Sequence, residues 1–202
     1  MGEILGYGED ALTLWALKNR LKVILERFGD KASSSECLIF YRPSFGRRSR
    51  KGSSIFGEFD AIVASRSSIL LVESKWDNLG SFKEEELALR EEQLLRHRIF
   101  AWYLTNWNER FRGNWKRFVE EKKEQFRFQG KTMPNASSLL SGNLEYVLNR
   151  LQQHCRNVDE SHIKNVLLYF HRGPRIPSFR VNKTFTPIPI DYTEISGSFI
   201  PL

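Results

Sequence analysis

Two β-rich runs separated by a short polar turn restrict the folding of this chain more sharply than any other stretch. The first is Phe59-Asp60-Ala61-Ile62-Val63, the second is Leu70-Leu71-Val72-Glu73-Ser74-Lys75, and Ser65-Arg66-Ser67-Ser68 lies between them. A connection of that length is common in hairpins. Side chains alternate between faces along a strand, so Glu58, Asp60 and Ile62 share one face of the first run, while Ile69, Leu71, Glu73 and Lys75 share one face of the second. With Ala64 opposite Ile69, the count outward pairs Asp60 with Glu73 and Glu58 with Lys75.

Opposed residues on one sheet face have Cβ atoms roughly 5 Å apart, and like charges at that separation are destabilising. A divalent cation between Asp60 and Glu73 would turn the repulsion into coordination. The plainer alternative splays both acids into solvent at a strand end and leaves Glu58 and Lys75 as an ordinary cross-strand ion pair. Two carboxylates with an ammonium beside them suit metal-assisted cleavage of a phosphodiester.

These residues resemble the motif of the PD-(D/E)xK nuclease superfamily, with Phe59 standing where the name has proline. The resemblance implies an α/β fold: a restriction-endonuclease-like mixed β-sheet flanked by helices, with extra helices after the Glu-x-Lys strand. It implies a metal-dependent nuclease in which Asp60, Glu73 and Lys75 are catalytic. Mg²⁺, or Mn²⁺ in its place, would be held by Asp60, Glu73 and the Ser74 carbonyl, with Glu9 and Glu58 as additional acids. Glu9 enters because many members, archaeal Holliday junction resolvases among them, carry a metal-binding glutamate near the start of the first helix. Gln93 enters because RecB-like branches use a glutamine in the helix after the Glu-x-Lys strand. The implied partner is nucleic acid, DNA before RNA, cut to leave a 5′-phosphate, with homodimerisation a way to cut two strands. The alternative is a nucleic-acid-binding module of the same fold that does not cleave.

Composition agrees with one folded nuclease-like domain spanning 1–202. Hydrophobic residues make up 41% and aromatic residues 13%, too much for a mainly disordered chain. The net charge of +7 suits a polyanionic partner. Cys37 and Cys155 are far apart and lack zinc-ligand spacing, which points to a reducing, cytoplasmic setting. No apolar run approaches the roughly 20 residues of a membrane span.

Along the chain, Asp10 to Phe28 has helical periodicity, with Glu9 at its start able to act as a simple dipole partner. Cys37 to Tyr41 reads as the first strand. Arg42, Arg47, Arg48, Arg50 and Lys51 lie in a Pro- and Gly-punctuated loop that leads to Asp60, a candidate phosphate contact. Phe82 to about Trp107 reads as a helix that projects Gln93, Arg96 and His97. Arg96 is a further candidate phosphate contact, and His97 alone is weak evidence for catalysis. Trp107, Phe111, Trp115 and Phe118 form an aromatic stripe whose spacing suits a buried helix face better than base stacking. Leu139 to Cys155 reads as a helix and Ile163 to Phe170 as a strand covered on both faces. From about 173, prolines predict an irregular segment with an edge strand at Phe179 to Val181.

Overall fold

The computed structural model describes residues 3–46, 54–77, 89–155, 157–173 and 183–202. In chain order the first described elements are β1 (Leu5–Tyr7), α1 (Gly8–Asn19), α2 (Leu21–Glu26), β2 (Leu38–Tyr41), β3 (Ser44–Phe45), β4 (Gly57–Glu58), β5 (Ala61–Ala64) and β6 (Ile69–Trp76). They are followed by α3 (Glu91–Asn106), α4 (Trp115–Lys122), α5 (Leu139–His154), β7 (Ile163–His171), β8 (Phe185–Asp191) and β9 (Phe199–Pro201).

A five-stranded mixed sheet runs in the order β2-β5-β6-β7-β8. β5 pairs antiparallel with β2 and β6, whereas β6, β7 and β8 are parallel. Alternation along the strands sends Ala61, Val63, Leu70, Val72, Val166 and Leu168 to the face covered by Leu12, Trp15, Ile24 and Leu25 of α1 and α2. Ile62, Ala64, Ile69 and Leu71 face the other way, into a core with Phe100 and Leu104 of α3, Phe118 of α4 and Leu148 of α5. Helices on both faces explain why β6 and β7 are apolar on both sides along most of their length.

The predicted stripe of Trp107, Phe111, Trp115 and Phe118 is buried in that second core, so these rings have no face to offer a base. The single predicted helix over 10–28 is divided at Arg20, whose backbone leaves helical geometry at φ −123° and ψ 6°. Of the segment predicted to be irregular, the described residues 183–202 are more regular than their prolines suggest. β8 adds to the main sheet with Pro187 and Pro189 opposite Leu167 and Tyr169, and it can carry them because among the described residues it is an edge strand, where a missing N–H breaks no ladder bond. The expected strand at Phe179 to Val181 lies outside the described residues. So does the start of the predicted helix from Phe82.

Candidate active site

β5 is four residues long and β6 is eight, so β6 runs on past its partner. Ala64 does pair with Ile69, and the register holds through Ala61 and Val72. The last backbone bond of this ladder is Asp60 N–H to the Val72 carbonyl, at 3.2 Å. Beyond it, two carboxylates take over the duty of β5. Ser74 N–H donates to Asp60 Oδ2 at 2.7 Å, and Trp76 N–H donates to Glu9 Oε2 at 2.9 Å. A backbone donor needs a partner, and here the partners are acids. The N–H and carbonyl of one strand residue point to the same side, so the Ser74 carbonyl faces this open flank as well. Ser74 is fixed from the opposite face of the sheet, where its Oγ accepts from Thr13 Oγ1 of α1 at 2.8 Å.

Glu73 points to the other face and is buried, with 2% of its side chain exposed. Three side chains from one flank of α3 close on it. Gln93 Nε2 donates to Oε2 at 2.7 Å, Arg96 Nη2 reaches both oxygens at 2.6 Å, and His97 Nε2 lies 3.0 Å from Oε1. On its far side the imidazole meets Asn165 Oδ1 at 2.8 Å, so both ring nitrogens face acceptor oxygens. Phe59 supports this group from within the core, with Arg96 5.3 Å over its ring and the His97 ring 4.9 Å away. Gly57, at φ +114°, makes the arrangement sterically feasible, because a Cβ there would sit 2.7 Å from Arg96 Nη1.

The outer part of the predicted hairpin does not form. The chain turns away at Gly57, and Glu58 pairs across β3 and β4 with Ser44 instead of facing Lys75. Its carboxylate accepts from Arg42 Nε at 2.9 Å, and the same guanidinium bonds Asp10. Arg42 is therefore tied to two acids of its own chain, and Gln93 and Arg96 are tied to Glu73, where phosphate contacts were expected. Arg47, Arg48, Arg50 and Lys51 lie outside the described residues. Lys75 makes no hydrogen bond or ion pair among the described residues, although its charge acts on Glu9.

The three acids are driven apart electrostatically. Burial and the neighbouring Glu73 carboxylate push Asp60 up to about 7, with Glu9 adding and the Ser74 N–H opposing. Burial also raises Glu9, against the ammonium of Lys75 and the Trp76 N–H. Burial alone would raise Glu73 as well, but the His97 bond and the Arg96 guanidinium outweigh it and hold that carboxyl below the ordinary glutamate range.

Among the described residues, no three His, Cys, Asp or Glu side chains gather as a metal-holding group. The expected set divides instead: Asp60, Glu9 and the Ser74 carbonyl share the open flank, Glu73 has both oxygens engaged by α3, and Glu58 is drawn off to Arg42. Also among the described residues, no helix is long and apolar enough to cross a membrane. Comparison with known proteins returned no matching family model, no matching curated protein and no matching solved structure.

Sequence reasoning discounted His97 and did not single out Asn165 or Thr13. The signal for His97 was present: Gln93, Arg96, His97, Phe100 and Leu104 fall on one helical stripe, so polar residues at its start must enter the same buried face as the aromatic ones.

Proposed function

We propose that this chain is a metal-dependent phosphodiester hydrolase acting on nucleic acid, with the restriction-endonuclease-like fold and the PD-(D/E)xK arrangement of active-site residues. The observation that carries the reading is Asp60, an acid pushed up to about 7 beside Glu73 and Glu9 at the open flank of β6. Such a cluster of mutually repelling carboxylates costs stability, and an acid perturbed by burial together with specific charged neighbours is a candidate functional group.

The donor chemistry fits a hard divalent cation such as Mg²⁺, with Mn²⁺ as a substitute: carboxylate oxygens of Asp60 and Glu9 with the Ser74 carbonyl. Glu73, locked by Arg96, contributes charge from behind. When bound, the cation would acidify a coordinated water and stabilise charge on the scissile phosphate. The chain's own residues do the rest. Lys75, as an ammonium, orients the attacking water and offsets negative charge developing on the phosphate, while the water's proton passes to solvent. Asp60 is kept in place by the Ser74 N–H, and Ser74 in turn by Thr13.

A second reading has its own support. Because Gln93, Arg96 and His97 satisfy both Glu73 oxygens internally, the fold could bind nucleic acid without cutting it. A cleavage screen over single-stranded, duplex, flapped, four-way and RNA substrates, with Mg²⁺ or Mn²⁺ and with chelator, separates the two. Hydrolysis that needs the cation and falls by about 10²–10⁴ in Lys75→Ala supports the hydrolase. Salt-dependent binding that survives Lys75→Ala, with no product in either metal, supports the binding module.

A further inference from the structure

The small ribbon of β1 and β9 carries an apolar strip that no part of the proposed hydrolysis uses. The ribbon pairs Leu5 with Pro201, Gly6 with Ile200 and Tyr7 with Phe199. Its inner face is closed against the domain: Ile200 is buried, and a Cβ on Gly6 would lie 2.6 Å from Ala11 Cβ. Alternation then sends Leu5, Tyr7, Phe199 and Pro201 outward, and Tyr7 and Phe199 are each 60% exposed. The two rings lie 6.0 Å apart, and Tyr7 meets the Trp76 ring edge-on at 5.7 Å. Beside the strip runs an open cleft of about 540 Å³ lined by Leu5, Trp15, Phe199 and Pro201, among others.

This strip adjoins the candidate site through covalent neighbours. Tyr7 precedes Glu9 by two residues, Trp76 follows Lys75, and the Trp76 N–H is the group that Glu9 binds. Exposed rings whose supporting Trp76 is the next residue along β6 from Lys75, an ammonium with no ion pair among the described residues that acts on Glu9, suit a ligand that is flat and apolar in one part and anionic in another. An apolar peptide would use the rings and leave Lys75 idle, and a free phosphate would do the reverse. A nucleotide uses both, in keeping with the net charge of +7. Bases inside a duplex hide their faces in the stack, so only unpaired bases can lie on these rings.

We propose that Tyr7 and Phe199 form a stacking platform for unpaired bases next to the scissile phosphate, and that the substrate is single-stranded or frayed nucleic acid. The position of the phosphate rests on the hydrolase reading. The stacking does not.

Binding is measured by fluorescence anisotropy in chelator, so that no cleavage occurs, with three labelled probes of equal length: a single strand, an abasic phosphodiester strand and a blunt duplex. The full chain should prefer the single strand over both others. Tyr7→Ala and Phe199→Ala should each weaken single-strand binding about tenfold while leaving the abasic strand unchanged, and Tyr7→Phe should bind as the parent does. Both side chains are largely exposed, and circular dichroism checks that the variants fold. Equal binding of single and abasic strands, or alanine variants with unaltered affinity, would overturn the proposal. So would a dimer that Tyr7→Ala splits with no change in single-strand binding, since the strip would then serve a second copy. Ring-dependent binding without metal-dependent cleavage would sink the hydrolase and keep the platform; cleavage without ring dependence would do the opposite.

Discussion

The Ser74 backbone N–H reaches Asp60 Oδ2 at 2.7 Å and pins an acid whose charge is opposed by burial and by Glu73. The raised value gives the pH dependence its sign. An aspartate at about 7 in the fold and near 3.8 when unfolded binds more protons in the native state between those values. Its contribution therefore favours the fold most below about pH 4 and declines as pH rises toward 7. Asp60→Asn keeps a side-chain oxygen for Ser74 and removes the charge. The variant should be more stable than the parent by about 1–3 kcal/mol at pH 8 and nearly equal to it at pH 4, read as the difference in urea midpoints. Equal stability at both pH values would contradict the assigned environment.

Divalent cations should act on the same group. A ligand that prefers the ionised carboxylate stabilises the native state by mass action, approaching 2.7 kcal/mol at about one hundred times its dissociation constant. Mg²⁺ should raise Tm at pH 8, raise it less at pH 5 where protons compete for Asp60, and have little effect on Asp60→Asn. A shift that persists in Asp60→Asn would place the cation elsewhere.

Arg96 is the main counter-charge of Glu73; Glu73 is buried and Arg96 partly so, with side-chain exposures of 2% and 12%. Removing one partner of such a pair leaves an uncompensated charge in the interior, at a cost of about 3–5 kcal/mol. Arg96→Ala should lose that amount at pH 7, and adding Glu73→Gln should restore part of it. The depressed carboxyl of Glu73 contributes stability that is full above the unfolded glutamate value and is lost as pH falls below it. The parent should consequently lose stability on the acid side of pH 4.5 more steeply than Arg96→Ala does, which pH-resolved thermal melts can check.

How far the site could be read from sequence depends on which force fixed each residue. The approach of Asp60 to the Glu73 end of β6 was within reach because a two-residue period and a short turn set the register, which holds through Ala61 and Val72, and both are local; the bond from the Ser74 N–H was not. Glu58 was not, because its fate depends on Gly57 adopting a positive φ and on β3 pairing with β4, a contact that no alternation pattern reports. His97 was hidden for a different reason. A lone histidine carries no signal until the helix is docked, and its partners Glu73 and Asn165 arrive from strands 24 and 68 positions away. Helix identity in α1, α3 and α5 followed from periodicity, whereas β8 was obscured by prolines that only an edge position tolerates.

The turn that sets this register has its own anchor, and it supplies the last test. Asp30 lies at the end of the sheet opposite the site, where its carboxylate accepts from the hydroxyls of Ser65, Ser67 and Ser68 and from the Ala32 N–H. Burial raises its pKa, but the serine hydroxyls prevail and hold it below the ordinary aspartate value. Ser65 and Ser68 are buried, so Asp30→Ala would leave their donors without the acceptor they share, at about 1–3 kcal/mol. The same change would loosen the connection that holds Ala64 opposite Ile69, and any slip there moves Asp60 away from Ser74. Asp30→Ala should therefore lower both stability and Mg²⁺-dependent hydrolysis, although it lies at the far end of the hairpin. Asp30→Asn, which retains an acceptor, should recover much of each. If Asp30→Ala unfolds at a lower urea concentration while hydrolysing at the parent rate, the turn contributes stability alone and the register is held by the strands themselves.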